Sequence, residues 1–188
     1  MLKLITAPTA EPVTLAEAKL HCRVDGTDDD TRITAFISAA RHLAEQKTGR
    51  AFSPQTWELV LDAFPAEIEV TIGPLTAVSS IKYLDTAGAE QTLAGAAYVV
   101  DADHLPARIV PATGYAWPGT AALPSAVRVR FTCGHAVSDG DLIALKQWML
   151  IAVATWVRHA EAVDSANLSA LPRTYVDGLL DRYKVNWL

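Results

Sequence analysis

Val13-Thr14-Leu15-Ala16-Glu17-Ala18-Lys19 opens a stretch that runs to Thr48-Gly49-Arg50 and reads as two capped helices joined by an acidic turn. Thr14 and Glu17 have the Thr-x-x-Glu spacing of a capping box, in which the hydroxyl takes a free N–H of the first turn and the carboxylate reaches back to the cap. Asp28-Asp29-Asp30 marks a second start, with side-chain oxygens to cap the helix and negative charge suited to the positive end of its dipole. Beyond it Ile33, Phe36, Ile37, Ala40, Leu43 and Ala44 recur at the spacing of one apolar helix face. Gly49 then ends the helix, free to adopt a left-handed C-cap. The whole stretch is scaffold, without a recognisable catalytic or ligand-binding motif.

Outward from this stretch, the hydrophobic period changes from 3.6 to 2 between Gln55 and about His135. Trp57, Leu59 and Leu61 alternate with Glu58, Val60 and Asp62. Ile68, Val70 and Ile72 alternate with Glu67, Glu69 and Thr71, and Val127, Val129 and Phe131 with Arg128, Arg130 and Thr132. Such alternation marks strands with one buried and one wet face, as antiparallel sheets allow. Gly73-Pro74, Asp85-Thr86-Ala87-Gly88 and Trp117-Pro118-Gly119 punctuate them, and the second of these predicts a hairpin. Pro106, Pro111, Pro118 and Pro124, with Gly114 and Gly119, make Asp101–Pro124 read as a long, partly ordered excursion at the sheet edge.

Helical character returns at Ser138, three residues before Asp141 in a capping-box-like start, and runs to about His159. The segment Leu142–Val157 is apolar nearly all round, which predicts burial inside its own domain or against another subunit. Lys146 and Gln147 interrupt it and it is shorter than the roughly 20 residues of a membrane span, so it reads as the buried helix of a soluble protein. Leu171-Pro172 opens a last helix carrying Val176, Leu179, Leu180 and Tyr183. Helices at both ends with strands between predict an α+β chain. The expectation is that residues 1–52 and 136–188 form one helical core and residues 53–135 an inserted antiparallel β subdomain, the whole being one connected domain.

The 188 residues suffice for one good core, and a half-hydrophobic composition marks a globular chain. The formal net charge of -5 argues against broad neutralisation of nucleic-acid phosphates, though a protein can surround DNA without gripping it. Cys22 and Cys133 lie far apart, outside any Cys-x-x-Cys or His cluster, so neither a disulfide framework nor a structural zinc site is predicted. The N-terminus shows no basic region leading into an apolar core, the pattern of a secretory signal.

Chemistry is sparse. There is no P-loop, Gly-x-Gly-x-x-Gly, Gly-x-Ser-x-Gly or His-Glu-x-x-His motif. Cys133-Gly134-His135 with Ser138 and Asp139 imitates a nucleophile, base and orienter. The groups are adjacent in sequence, however, whereas catalytic groups converge from separate segments, and Ser138 is better explained as a cap. Asp28–Asp30 lacks the alternate ligands, glycine and closing glutamate of a calcium loop. His21, His42, His104 and His159 stand singly. No catalytic residue, cofactor site or metal site is therefore expected. Arg128 and Arg130 share one strand face, with Lys82 on a neighbour, and are the candidates for brushing DNA phosphates, a solvated sheet face being the other reading. Trp148, Trp156, Tyr183, Trp187 and Leu188 are the candidate partner-interface residues. The aromatics at the chain end either fold back on their own core or dock into a partner.

The order of these pieces resembles a known family. Val13–Lys19, His21, Arg23-Val24-Asp25, Asp29-Asp30, Ile33, Phe36-Ile37, Ala39-Ala40-Arg41, Glu45 and Thr48-Gly49-Arg50 are similar to the opening of tailed-phage head–tail connector proteins. Trp57-Glu58-Leu59, Gly73-Pro74-Leu75, Ser80–Asp85, Tyr98–Asp101, Trp117-Pro118, Val129–Gly134 and the closing Leu171-Pro172, Leu179-Leu180 and Tyr183 continue the likeness. The stretch 94–123 departs from it. The resemblance implies a structural, non-enzymatic ring of about a dozen copies beneath the portal protein of a phage or prophage. That ring would extend the DNA channel, let double-stranded DNA pass without sequence-specific binding, and offer a surface to the tail or a second adaptor. It would be assembled in the bacterial cytoplasm and reside at the head–tail junction of the virion, without cofactor or membrane. Two other readings stand beside it: a monomeric or dimeric binding module using the β insertion, and a small hydrolase using Cys133 and His135.

Overall fold

The computed structural model describes residues 1–136, 140–158 and 176–185. The fold is α+β, and the chain divides into two compact units. Met1–Thr9 with Ser53–His135 makes a β unit, and Ala10–Phe52 with Ala136–Leu188 makes a helical unit.

The β unit contains eight strands: β1 (Leu2–Thr6), β2 (Gln55–Leu61), β3 (Ile68–Val70), β4 (Leu75–Leu84), β5 (Glu90–Thr92), β6 (Tyr98–Asp101), β7 (Ala107–Pro111) and β8 (Val127–Cys133). A five-stranded sheet has the order β1-β2-β8-β4-β5 and a three-stranded sheet the order β3-β7-β6, with antiparallel pairing throughout. The central strand β8 shows the cleanest alternation. Val127, Val129, Phe131 and Cys133 are buried while Arg128 and Arg130 are exposed. Ile68, Val70, Ala107 and Ile109 bury the inner face of the smaller sheet. Between Asp85 and Gln91 the predicted hairpin forms because the Asp85 carboxylate accepts from the N–H groups of Ala87 and Ala89 at 2.9 and 3.0 Å, while Gly88 supplies a φ of 83°. Phe64 stacks on Trp117 at 4.8 Å and meets the edge of Tyr83 at 5.6 Å, pinning the Trp117-Pro118 loop.

Two expectations are corrected in this unit. The first residues are not part of the helical segment: Leu2, Lys3 and Leu4 form β1 and pair with Leu59, Glu58 and Trp57, so Met1–Thr9 belongs with the strands. The stretch Asp101–Pro124 is partly ordered, but not at the edge of the larger sheet: it contributes β7 and the end of β6 to a second sheet.

The helical unit holds α1 (Leu15–Cys22), α2 (Asp30–Thr48), α3 (Ile143–Arg158) and a 3-10 helix at Gly178–Tyr183. At α1 the capping box is complete: the Thr14 hydroxyl accepts from the Glu17 N–H, and the Glu17 carboxylate accepts from the Thr14 N–H at 2.7 Å. Gly49 closes α2 at φ 71°, its N–H donating to Glu45. The acidic turn does not cap α2 through a side chain. Asp29 has helical backbone angles and makes no such hydrogen bond. Its carboxylate instead pairs with Arg32 at 3.0 Å, and that of Asp30 pairs with Lys19. The negative charges still suit the helix N-terminus.

Ile33, Ile37, Ala40 and Ala44 of α2 pack in one cluster with Val13, Ala18, Phe52, Leu145, Trp148, Met149, Val153, Leu180 and Tyr183, with Phe36 and Leu43 at its margin. The Gly140–Arg158 segment is long and apolar enough to cross a membrane. Here, however, Leu142, Leu145, Trp148, Met149 and Val153 are spent on this core. Arg41 is buried in α2 and held by Glu11 at 2.8 Å and Glu45 at 2.6 Å, so its charge is compensated. The Ser138 cap, His159 and the Leu171-Pro172 helix start lie outside the described residues.

Candidate interaction surfaces

The solvent face of the five-stranded sheet is read directly from its register. One row runs Lys3, Glu58, Arg130, Ser80, and the next runs Val60, Arg128, Lys82, Thr92. Arg130 pairs with Glu58 at 2.9 Å. Glu90 serves two cations, Lys82 at 2.8 Å and Arg128 at 3.8 Å. The hydrogen bond from Lys82 holds the Glu90 carboxyl below its ordinary range, with the positive charges of Lys82 and Arg128 adding to the effect. The two arginine side chains remain 48 and 47% exposed. The expected neighbour Lys82 is thus beside Arg128. Lys3 and Glu58 join the same face, which sequence reading missed because their positions depend on the pairing of β1 with β2.

The candidate interface aromatics fall in different places. Trp148 is 3% exposed and its indole N–H donates to Asp177 at 3.2 Å. Tyr183 is 4% exposed, lies edge-on to Phe52 at 5.4 Å, and donates its hydroxyl to the Asp141 carbonyl. Both are core residues of the helical unit and their polar ends are already engaged there. Trp156 is half-buried and packs against Phe36 at 5.8 Å. Trp187 and Leu188 lie outside the described residues. Asp177, which no sequence signal marked, accepts from Lys47 at 2.9 Å as well as from Trp148. The Lys47 bond is the main reason its carboxyl lies below the usual range. Thr14 does the same for Glu17 through its N–H and hydroxyl.

Of the two cysteines, Cys133 is buried and Cys22 half-buried. Cys133 is buried on the inner face of β8, in register with Gln55 and Leu75. Burial raises the pKa of the Cys22 thiol, disfavouring the nucleophilic thiolate, with Arg158 opposing weakly. Ser138 and Asp139 lie outside the described residues. Among the described residues, no group of three or more His, Cys, Asp and Glu side chains is placed to hold a metal ion.

The described residues thus present a charged array on the five-stranded sheet and a packed apolar cluster in the helical unit. The chain belongs to the phage gp6-like head-tail connector protein family, whose sequence model matches residues 12–106. That span takes in α1, α2 and β2 to β6. Its role is accordingly that of a structural connector in a phage-like particle. No match is found among curated protein sequences.

Among solved structures, the chain is similar to one in the neck of an empty gene transfer agent particle computed with C6 symmetry, at TM-score 0.76. It is also similar to one in the neck of the native particle computed with C12 symmetry, at TM-score 0.77, and to one in the virion of the native particle, at 0.74. In each case identity is 23%, with all of this chain and 97% of the other covered, a likeness of fold.

Proposed function

We propose that this connector acts as one subunit of a closed ring of about a dozen copies, set beneath the portal at the head–tail junction. The helical unit is its frame and the β unit its insertion, the two serving as one building block. The ring extends the DNA channel, lets double-stranded DNA pass without sequence-specific binding, and presents a surface to the tail or to a second adaptor. It forms in the bacterial cytoplasm, is carried in the virion, and works by contact rather than catalysis. Trp156, with Trp187 and Leu188 at the chain end, supplies apolar contacts to its partners.

The observation that carries this reading is family membership over α1, α2 and the strands that follow. Support comes from the full-length likeness of fold to chains in necks treated with sixfold and twelvefold symmetry. The acidic balance of -5 fits a channel lining, since negative charge repeated around a lumen keeps DNA from sticking. The test is the mass of the purified protein by light scattering, alone and with portal, joined to electron microscopy. The expected result is closed rings of about a dozen subunits. A strict monomer at high concentration and in the presence of portal overturns the ring.

A further inference from the structure

The β unit carries two solvent faces of opposite charge. In the register rows of the five-stranded sheet, the side chains of Lys3, Lys82, Arg128 and Arg130 stand with those of Glu58 and Glu90, a surplus of two positive side-chain charges. The Glu58 side chain is just 13% exposed, so what solvent meets is more positive than the count. On the three-stranded sheet the register sets Glu69, Arg108 and Asp101 in one row, and Glu67 approaches Arg108 at 3.6 Å. One cation among three carboxylates leaves a surplus of two negative charges. Val99, 53% exposed, lies on this acidic face opposite Val110, a small apolar patch beside the row of Asp101 and Arg108.

We propose that the occupant of the basic face is the acidic face of a second copy of this chain, with Arg128 and Arg130 opposite Glu69 and Asp101. The inference rests on the ring reading and names the surfaces that build it. Two different, mutually complementary patches on one chain make a head-to-tail contact, and a head-to-tail contact repeated by a constant rotation closes into a ring. Opposite surpluses of equal size are the charge pattern such a contact needs, for orientation and for rejecting face-to-face pairing of like patches. DNA is the poorer occupant. Phosphates laid on this face would meet the exposed Glu90 carboxylate, whereas a neighbouring chain brings carboxylates that can be placed between the cations.

The experiment uses the full chain in two charge-reversed forms, R128E/R130E and E69K/D101K. Each alone confronts like charges at every junction and should lose assembly by about a hundredfold in concentration dependence, since juxtaposed like charges cost several kcal/mol. An equimolar mixture of the two restores opposite charges at each junction, so rings with alternating subunits should return. Light scattering at low and high salt reads both effects, and circular dichroism checks that each variant is folded. If wild-type protein forms rings and both variants form them equally well, the proposed contact is wrong and the ring reading stands. If the variants fail singly and their mixture fails too, complementarity is overturned. If only DNA retention changes, the basic face belongs to DNA. A wild-type protein that never forms a ring overturns the ring reading and this inference with it.

Discussion

Replacing Tyr183 by alanine tests whether the end of the chain is locked into its own core. Tyr183 is 4% exposed, lies edge-on to Phe52 at 5.4 Å, and donates to the Asp141 carbonyl. Beside it the Val185 N–H donates to Thr48 at 3.0 Å and Asp177 bridges Lys47 and Trp148. Burial of about 200 Å² of tyrosine, at about 25 cal/mol per Å², is worth up to about 5 kcal/mol. Truncating a buried aromatic costs about 3–5 kcal/mol. Loss of the hydroxyl alone costs about 1 kcal/mol. Tyr183→Ala should therefore lower the unfolding free energy by about 4 kcal/mol and the melting temperature by about 10 °C, with Tyr183→Phe losing about a quarter of that. Urea unfolding followed by tryptophan fluorescence reads the difference. A Tyr183→Ala protein within about 1 kcal/mol of wild type would refute the docking and return Tyr183 to the pool of partner anchors.

Gly134 follows β8 at φ 117°, and a Cβ there would lie 2.1 Å from the Ser53 carbonyl oxygen. Gly134→Ala should cost about 3 kcal/mol or more by backbone strain and overlap together, measured by the same denaturation, and a neutral result would mean this junction is built differently. Acid should also loosen the helical unit. Glu17 is held below its ordinary range first by the Thr14 N–H, and Asp177 first by Lys47. A depressed folded pKa means the stability is present above the ordinary carboxylate value and is lost as pH falls through the folded one. Melting temperature should thus drop between about pH 5 and pH 2, and less steeply in Glu17→Gln/Asp177→Asn, for which identical slopes would count against both pairings.

The parts legible in the sequence are those set by local geometry. The Thr14–Glu17 box closes within one helical turn, Asp85 organises its hairpin over six residues, and the period-2 run from Val127 to Phe131 announces β8 unaided. Strand β1 was not legible. It is five residues long and takes its structure from a partner more than fifty positions away. Strand β3 was legible from the alternation of Ile68 and Val70 with Glu67 and Glu69, but its sheet was not, because β6 and β7 have only four and five residues and Pro106 and Pro111 flank or end β7. Asp28–Asp30 had the composition of a cap, but Lys19 and Arg32 offered its carboxylates stronger partners than the helix N–H groups. Of the candidate surfaces, the shared face of Arg128 and Arg130 follows from alternation alone, whereas the presence of Lys3 and Glu58 beside them needs the register. Trp148 and Tyr183 show a limit of composition: a tryptophan with a satisfied N–H suits a core as well as an interface, and only packing separates the two.

The central claim, that this chain joins head to tail, is tested most directly by deleting its gene and imaging the particles made without it. The predicted result is DNA-filled or leaking heads and separate, complete tails, with joined particles recovered when the wild-type chain is supplied. Normally tailed particles in its absence would contradict the account.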